Sequence, residues 1–90
     1  MKIKNLSKTT EMMESSDYKE RFKAEYYQLV YRYEKLKNMV CMWKNNTLSF
    51  TPTCPMSTYN LQLNAMACYI TVLEARAVME GIELEDVIVE

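Results

Sequence analysis

The residues best equipped for chemistry sit on one stretch of the chain. Tyr27, Tyr31 and Lys35 are spaced i, i+4, i+8, which places them in a row on one face of a helix, with Arg32 beside them. A phenol ring offers a flat surface on which a base can stack, and guanidinium and ammonium groups can hold phosphates. The chemistry this row suits is capture of a compact anion, with no bond made or broken. The same tyrosines would also close an interface between copies of the chain. The two uses are compatible, because interfaces are a usual place for small-ligand sites. Arg76 is the only basic residue after position 44. It is either the ion-pair partner of Glu74 or Glu80 or, if it faces another chain, a further anion ligand.

Catalytic and metal chemistry find little support. The 90-residue chain has no histidine, which removes the commonest general base and the commonest metal ligand. Glu74, Glu80 and Glu83 form no recognisable acid–base pair. Of the three cysteines, Cys41 and Cys68 fall in amphipathic runs and read as packing residues. Cys54, between Thr53 and Pro55, is expected to be the most exposed. A nucleophilic thiol needs a base, and none is suggested. One glycine cannot build a phosphate-binding loop, and three separated cysteines without histidine make no zinc site. The expectation is a non-enzyme with no cofactor and no metal.

Two helices must position the row. Asp17 followed by Glu20 has capping-box spacing, so a helix is predicted to start there. From it run Phe22, Tyr26, Leu29, Tyr33, Leu36, Val40 and Trp43, in alternating steps of four and three: a heptad seam without Gly or Pro. Asn45 and Asn46 are suited to end it. Both prolines, Pro52 and Pro55, fall in the connection, where Leu48 and Phe50 are expected to fold back onto the helices. Ser57 reads as the N-cap of a second helix with the seam Tyr59, Leu63, Met66, Ile70, Leu73 and Ala77, ended by Gly81. The organisation is thus a flexible or loosely docked arm (1–16), a helical hairpin domain (17–81, with helix 17–44, loop 45–56 and helix 57–80) and an acidic tail (82–90). The tail alternates apolar and acidic residues and suits a short strand or a third small helix.

The second helix carries an additional seam: Leu61, Ala65, Cys68, Val72, Ala75 and Met79. One partner helix covers one seam, so a second needs another covering surface. A second copy of the chain would supply it; the arm or the tail is the other candidate. The fold class expected is all-α: an antiparallel hairpin with coiled-coil-like seams, assembling into an oligomeric bundle.

Charge is unevenly spread. Residues 1–44 hold ten basic and six acidic groups, net +4, and residues 45–90 one basic and six acidic, net −5. Opposite solvated faces explain this, as does a basic, tyrosine-rich face for an anionic ligand. Bulk nucleic acid fits poorly, because overall charge is −1 and Glu20, Glu25 and Glu34 interrupt the basic run. No stretch is long and apolar enough for a membrane span, and unpaired thiols suit a reducing compartment, so cytoplasm is expected.

The arrangement Tyr33-Glu34-Lys35-Leu36, a proline-bearing break, then Gln62-Leu63, Met66, Tyr69, Leu73-Glu74 and Arg76 resembles a family of small accessory proteins of crAss-like and other tailed bacteriophages, over roughly residues 17–84. The architecture is also similar to phage anti-defence sponges of the anti-CBASS and anti-Thoeris kind, which sequester cyclic oligonucleotide or cyclic ADP-ribose signals. That resemblance implies a homo-oligomer that holds a small cyclic nucleotide in the host cytoplasm. Alternatives are a protein-directed inhibitor or adaptor, such as an anti-CRISPR gripping a host defence protein, and a structural phage component. The candidate ligand-binding residues, chosen on their chemistry, are Tyr27, Tyr31, Arg32, Lys35 and Arg76.

Overall fold

A computed structural model describes residues 1–90. The chain runs β1 (Lys2–Ile3), a 3-10 turn (Leu6–Thr9), α1 (Thr10–Met13), α2 (Tyr18–Lys44), α3 (Met56–Glu80) and β2 (Ile88–Val89). It is mainly helical and elongated, 43 × 24 × 20 Å. The 27 residues of α2 span the long dimension, as expected at 1.5 Å per residue.

The ends of the helices follow local chemistry. Asp17 caps α2, its Oδ1 accepting the Lys19 N–H at 3.0 Å. The other half of the expected capping box is missing. Glu20 turns to Lys23 at 3.4 Å, and the Asp17 N–H donates instead to Ser15 Oγ at 3.1 Å. Asn46, at φ 58°, is the one non-glycine residue in the left-handed region and ends α2. Pro55 rather than Ser57 precedes α3: its extended backbone and fixed φ of −61° lead straight into Met56. Gly81 ends α3 at φ 67°, a conformation that strains any residue with a Cβ. Beyond it the Ile82 N–H reaches back to the Ala77 carbonyl at 2.8 Å, and Ile82 is buried against the core, as in a Schellman closure. Leu48 is half-buried, but Phe50 keeps 58% of its surface in solvent, so the connection folds back less than expected.

The two predicted inner seams meet. Phe22, Tyr26 and Leu29 of α2 share a core with Leu73 and Ala77 of α3. Trp43 packs edge-on against Tyr59, ring centroids 6.2 Å apart, and Tyr26 OH donates to Glu74 at 2.9 Å. Late residues of α2 therefore lie beside early residues of α3, and early beside late.

Residues 1–14 and 82–90 pack on α2. Ile3 is fully buried in the core with Tyr27 and Ile82. Gln28 Nε2 donates to Thr9 Oγ1 at 2.9 Å, and Tyr31 OH donates to the Lys4 carbonyl at 3.0 Å. The tail takes the strand option: β2 pairs in parallel with β1, Lys2 opposite Ile88 and Ile3 opposite Val89. A two-residue pair has little stability alone; its own buried Ile3 supplies the anchor. No helix is long and apolar enough to cross a membrane.

Neither terminal segment covers the additional seam of α3. Leu61, Val72 and Met79 stay 70%, 55% and 76% exposed, and Ala65, Cys68 and Ala75 are exposed with them. All three cysteines are free and exposed. This corrects the packing role expected for two of them: Cys41 lies off the inner seam of α2, and Cys68 lies on the uncovered seam of α3.

Candidate functional site

The groove between the middle of α2 and the first half of α3 gathers most of the predicted residues. Tyr31, Arg32, Lys35, Leu36 and Met39 line it from α2, Gln62 and Met66 from α3, around about 450 Å³ of open space. The two helices position it through their spacing. Tyr31 and Lys35 are one turn apart, and Gln62 and Met66 are one turn apart on the facing helix. The volume lies within the range of small-molecule sites.

The chemistry within it is mixed and cationic. Tyr31 is half-buried, and its hydroxyl donates to the Lys4 carbonyl at 3.0 Å, which tethers the far end of the ring. The Lys35 ammonium sits 5.7 Å from the centre of that ring and donates to the main-chain oxygen of Glu90, the last residue, at 2.6 Å. Neither Lys35 nor Arg32 forms an ion pair with an Asp or Glu side chain. Two cations without side-chain ion pairs, beside a half-buried ring and two thioethers, can hold a phosphate and the flat face of a base together.

Tyr27 and Arg76 lie elsewhere. Tyr27 is 2% exposed, edge-on to Tyr26 at 5.8 Å, and its hydroxyl accepts the Glu85 N–H at 3.1 Å. The tail crosses directly over it, so the first member of the predicted row is a core residue. Tyr27 also lines a second cleft of about 470 Å³, but Glu20, Glu83 and Glu85 surround Lys23 there, which disfavours an anion. Arg76 stacks on Phe22, 4.8 Å from the ring centre, and pairs with Glu80 at 2.9 Å. Phe22 is ten residues before Arg32, roughly 15 Å along α2. Within one chain Arg76 does not reach the groove.

The N-terminal lysines went unread as site residues. Lys2, Lys4 and Lys8 line a polar cleft of about 350 Å³ with Asn5, Ser7 and Glu90. The Tyr31–Lys4 and Lys35–Glu90 contacts join it to the groove. Three lysines in eight residues are a sequence signal, but only the docking of Ile3 and the tail brings them together around Glu90.

One side chain elsewhere is electrostatically unusual. Burial first, then the hydrogen bond to Glu74 and its charge, push the Tyr26 phenol up from 10.0 to about 12. Tyr69 OH donates likewise to Glu25, giving a second tyrosine–carboxylate link between the long helices. No three His, Cys, Asp or Glu side chains converge into a metal-ligating group.

A family model described as Sequestin matches residues 16–79, more than two thirds of the chain, and the chain belongs to that family. The match covers α2, the connection and almost all of α3, and so both walls of the groove. No curated protein and no solved structure matches the chain.

Proposed function

We propose that this member of the Sequestin family is a phage-encoded anti-defence protein that sequesters a small anionic nucleotide signal, of the cyclic oligonucleotide or cyclic ADP-ribose type, without turning it over. The observation that carries the reading is the groove itself: Tyr31 tethered through its hydroxyl, with Arg32 and Lys35 beside it and neither in an ion pair with an Asp or Glu side chain. A family name that denotes sequestration supports capture over conversion. In this reading the chain is an antiparallel helical hairpin that assembles with copies of itself in the host cytoplasm. It uses no metal or cofactor.

Titration calorimetry against cyclic di- and trinucleotides and cyclic ADP-ribose isomers tests the proposal. Saturable heat with one class, and its recovery unchanged after release, are expected. No heat and no thermal stabilisation with any of them would sink it.

The second reading, a protein-directed inhibitor such as an anti-CRISPR, is favoured by the exposed outer face of α3. A stoichiometric host protein retained from lysate, with no small-molecule binding, would select it.

A further inference from the structure

The α3 surface turned away from α2 has the composition of an interface centre. From residue 56 to residue 73 the helix carries no charged side chain, although most of its positions are exposed. Depletion of charge at an apolar patch distinguishes interface cores from ordinary surface. Leu61, Ala65, Cys68, Val72, Ala75 and Met79 together expose on the order of 500 Å² per copy before flanking residues are counted, against about 800 Å² per partner in a standard stable interface.

The order of residue sizes along this stripe says what covers it. Leu61 and Met79 are large and end it; Ala65 and Ala75 are small and stand next inside; Cys68 and Val72 flank the middle. Each of the three pairs is centred on position 70. A stripe that reads the same in size from both ends is complementary to itself when turned end for end. That is the requirement for a two-fold interface between identical helices. Its alternating steps of four and three keep it facing a partner helix along its length.

We propose that two copies pack α3 against α3 in antiparallel fashion, with the two-fold axis beside position 70, and that each copy thereby completes the other's groove with Arg76. The proposal rests on the assembly invoked above and specifies its geometry. In this register Leu61 meets Met79 of the partner subunit, Ala65 meets Ala75 of the partner subunit, and Cys68 meets Val72 of the partner subunit. Arg76 of the partner subunit falls level with the turn between Gln62 and Met66. At 100° per residue, Gln62, Tyr69 and Arg76 lie on the same flank of the stripe. A two-fold axis perpendicular to both helices keeps that flank on one side of the pair. The partner's Arg76 therefore arrives on the side where the groove opens, and on turning from Glu80 and Phe22 it adds a third cation to Arg32 and Lys35.

Two crosslinking experiments test the register, and neither needs a ligand. The first uses C41S/C54S protein carrying V72C with native Cys68. Oxidation is expected to give a covalent dimer on a non-reducing gel, whereas C41S/C54S protein with Cys68 alone gives none. Cys68 and its own copy would stand about four residues apart along the axis, too far for a disulfide. Dimer with Cys68 alone, or none with V72C, would overturn the antiparallel register. The second mixes two cysteine-free (C41S/C54S/C68S) proteins, one bearing Q62C and the other R76C, and treats them with a short bis-maleimide. A crosslinked dimer is expected in the mixture and in neither protein alone. No crosslink in the mixture would remove Arg76 from the partner's groove. If both crosslinks form while no nucleotide binds, the interface stands and the sequestration reading falls.

Discussion

Of the two long helices, α2 carries ten charged side chains and is covered on two sides, by α3 and by the terminal segments. α3 is uncharged for most of its length and is covered on one. Hydropathy would assign the roles the other way round. What the contrast teaches is that the terminal segments do not follow apolarity alone. They go where a hydrogen-bonding partner accompanies the apolar one: Gln28 for Thr9, Tyr31 for Lys4, Tyr27 for Glu85. The additional seam of α3 receives neither terminal segment and keeps Leu61, Val72 and Met79 exposed.

The contrast is broken most directly by truncating one leucine on each side of α3. Leu73, 1% exposed, lies between the helices; Leu61, 70% exposed, lies outside. Leu73→Ala is expected to cost about 3 kcal/mol of unfolding free energy in urea titrations. Leu61→Ala should stay within roughly 0.5 kcal/mol when measured at dilution low enough to keep the copies apart. Equal losses would mean that the outer face is already buried within the single chain.

A smaller effect probes the joint between the helices. Neutral Tyr26 is favoured by the fold up to about pH 12, whereas an unfolded tyrosine ionises near 10.0. Its contribution is therefore complete below pH 10 and is lost as pH rises from 10 to 12, by roughly 2–3 kcal/mol. Thermal melts of the native protein and Tyr26→Phe across that range should converge as pH increases. A constant gap would mean that burial and Glu74 do not hold the phenol neutral.

The seams were legible because a 3.5-residue repeat survives in sequence whatever covers it. Phe22 to Trp43 and Tyr59 to Ala77 turn inward as the spacing demands. Tyr31, Arg32 and Lys35 followed, since one helix fixes their mutual positions. Tyr27 belonged to the same row by spacing, yet it is buried. Which part of a helix face a distant tail will cover is set by tertiary contacts such as Glu85 on Tyr27, and these leave no periodic trace. The N-terminal lysines were obscured for the same reason. Arg76 is a different case: within one chain it pairs with Glu80 and does not reach the groove.

Arg76 also sharpens the comparison, because a shared site and a private one respond differently to mixing. Lys35→Ala and Arg76→Ala are each expected to weaken binding of the recognised nucleotide about tenfold, near 1.4 kcal/mol. Mixed and allowed to exchange, the two proteins should regain native affinity in one groove per mixed pair, since that groove draws Lys35 from one copy and Arg76 from the other. If Arg76 acted within its own chain, every groove would stay defective and calorimetry would find no tight sites.

The finest distinction lies inside one side chain. Tyr31 has two separable jobs, a hydroxyl that holds the Lys4 carbonyl and a ring that faces the groove. Tyr31→Phe removes the first, an exposed hydrogen bond worth about 0.5–1 kcal/mol, and should speed amide exchange in residues 2–8. It leaves the ring, so nucleotide affinity should change less than about threefold, under 0.7 kcal/mol. Tyr31→Ala removes both, and loses the roughly 1–3 kcal/mol of a base stacked on an aromatic ring. Were Tyr31→Phe as damaging as Tyr31→Ala, the hydroxyl and the docked N-terminal segment, with Lys2, Lys4 and Lys8, would be the part of the site that matters. The anion would then lie over the polar cleft, and the groove beside α3 would be only its edge.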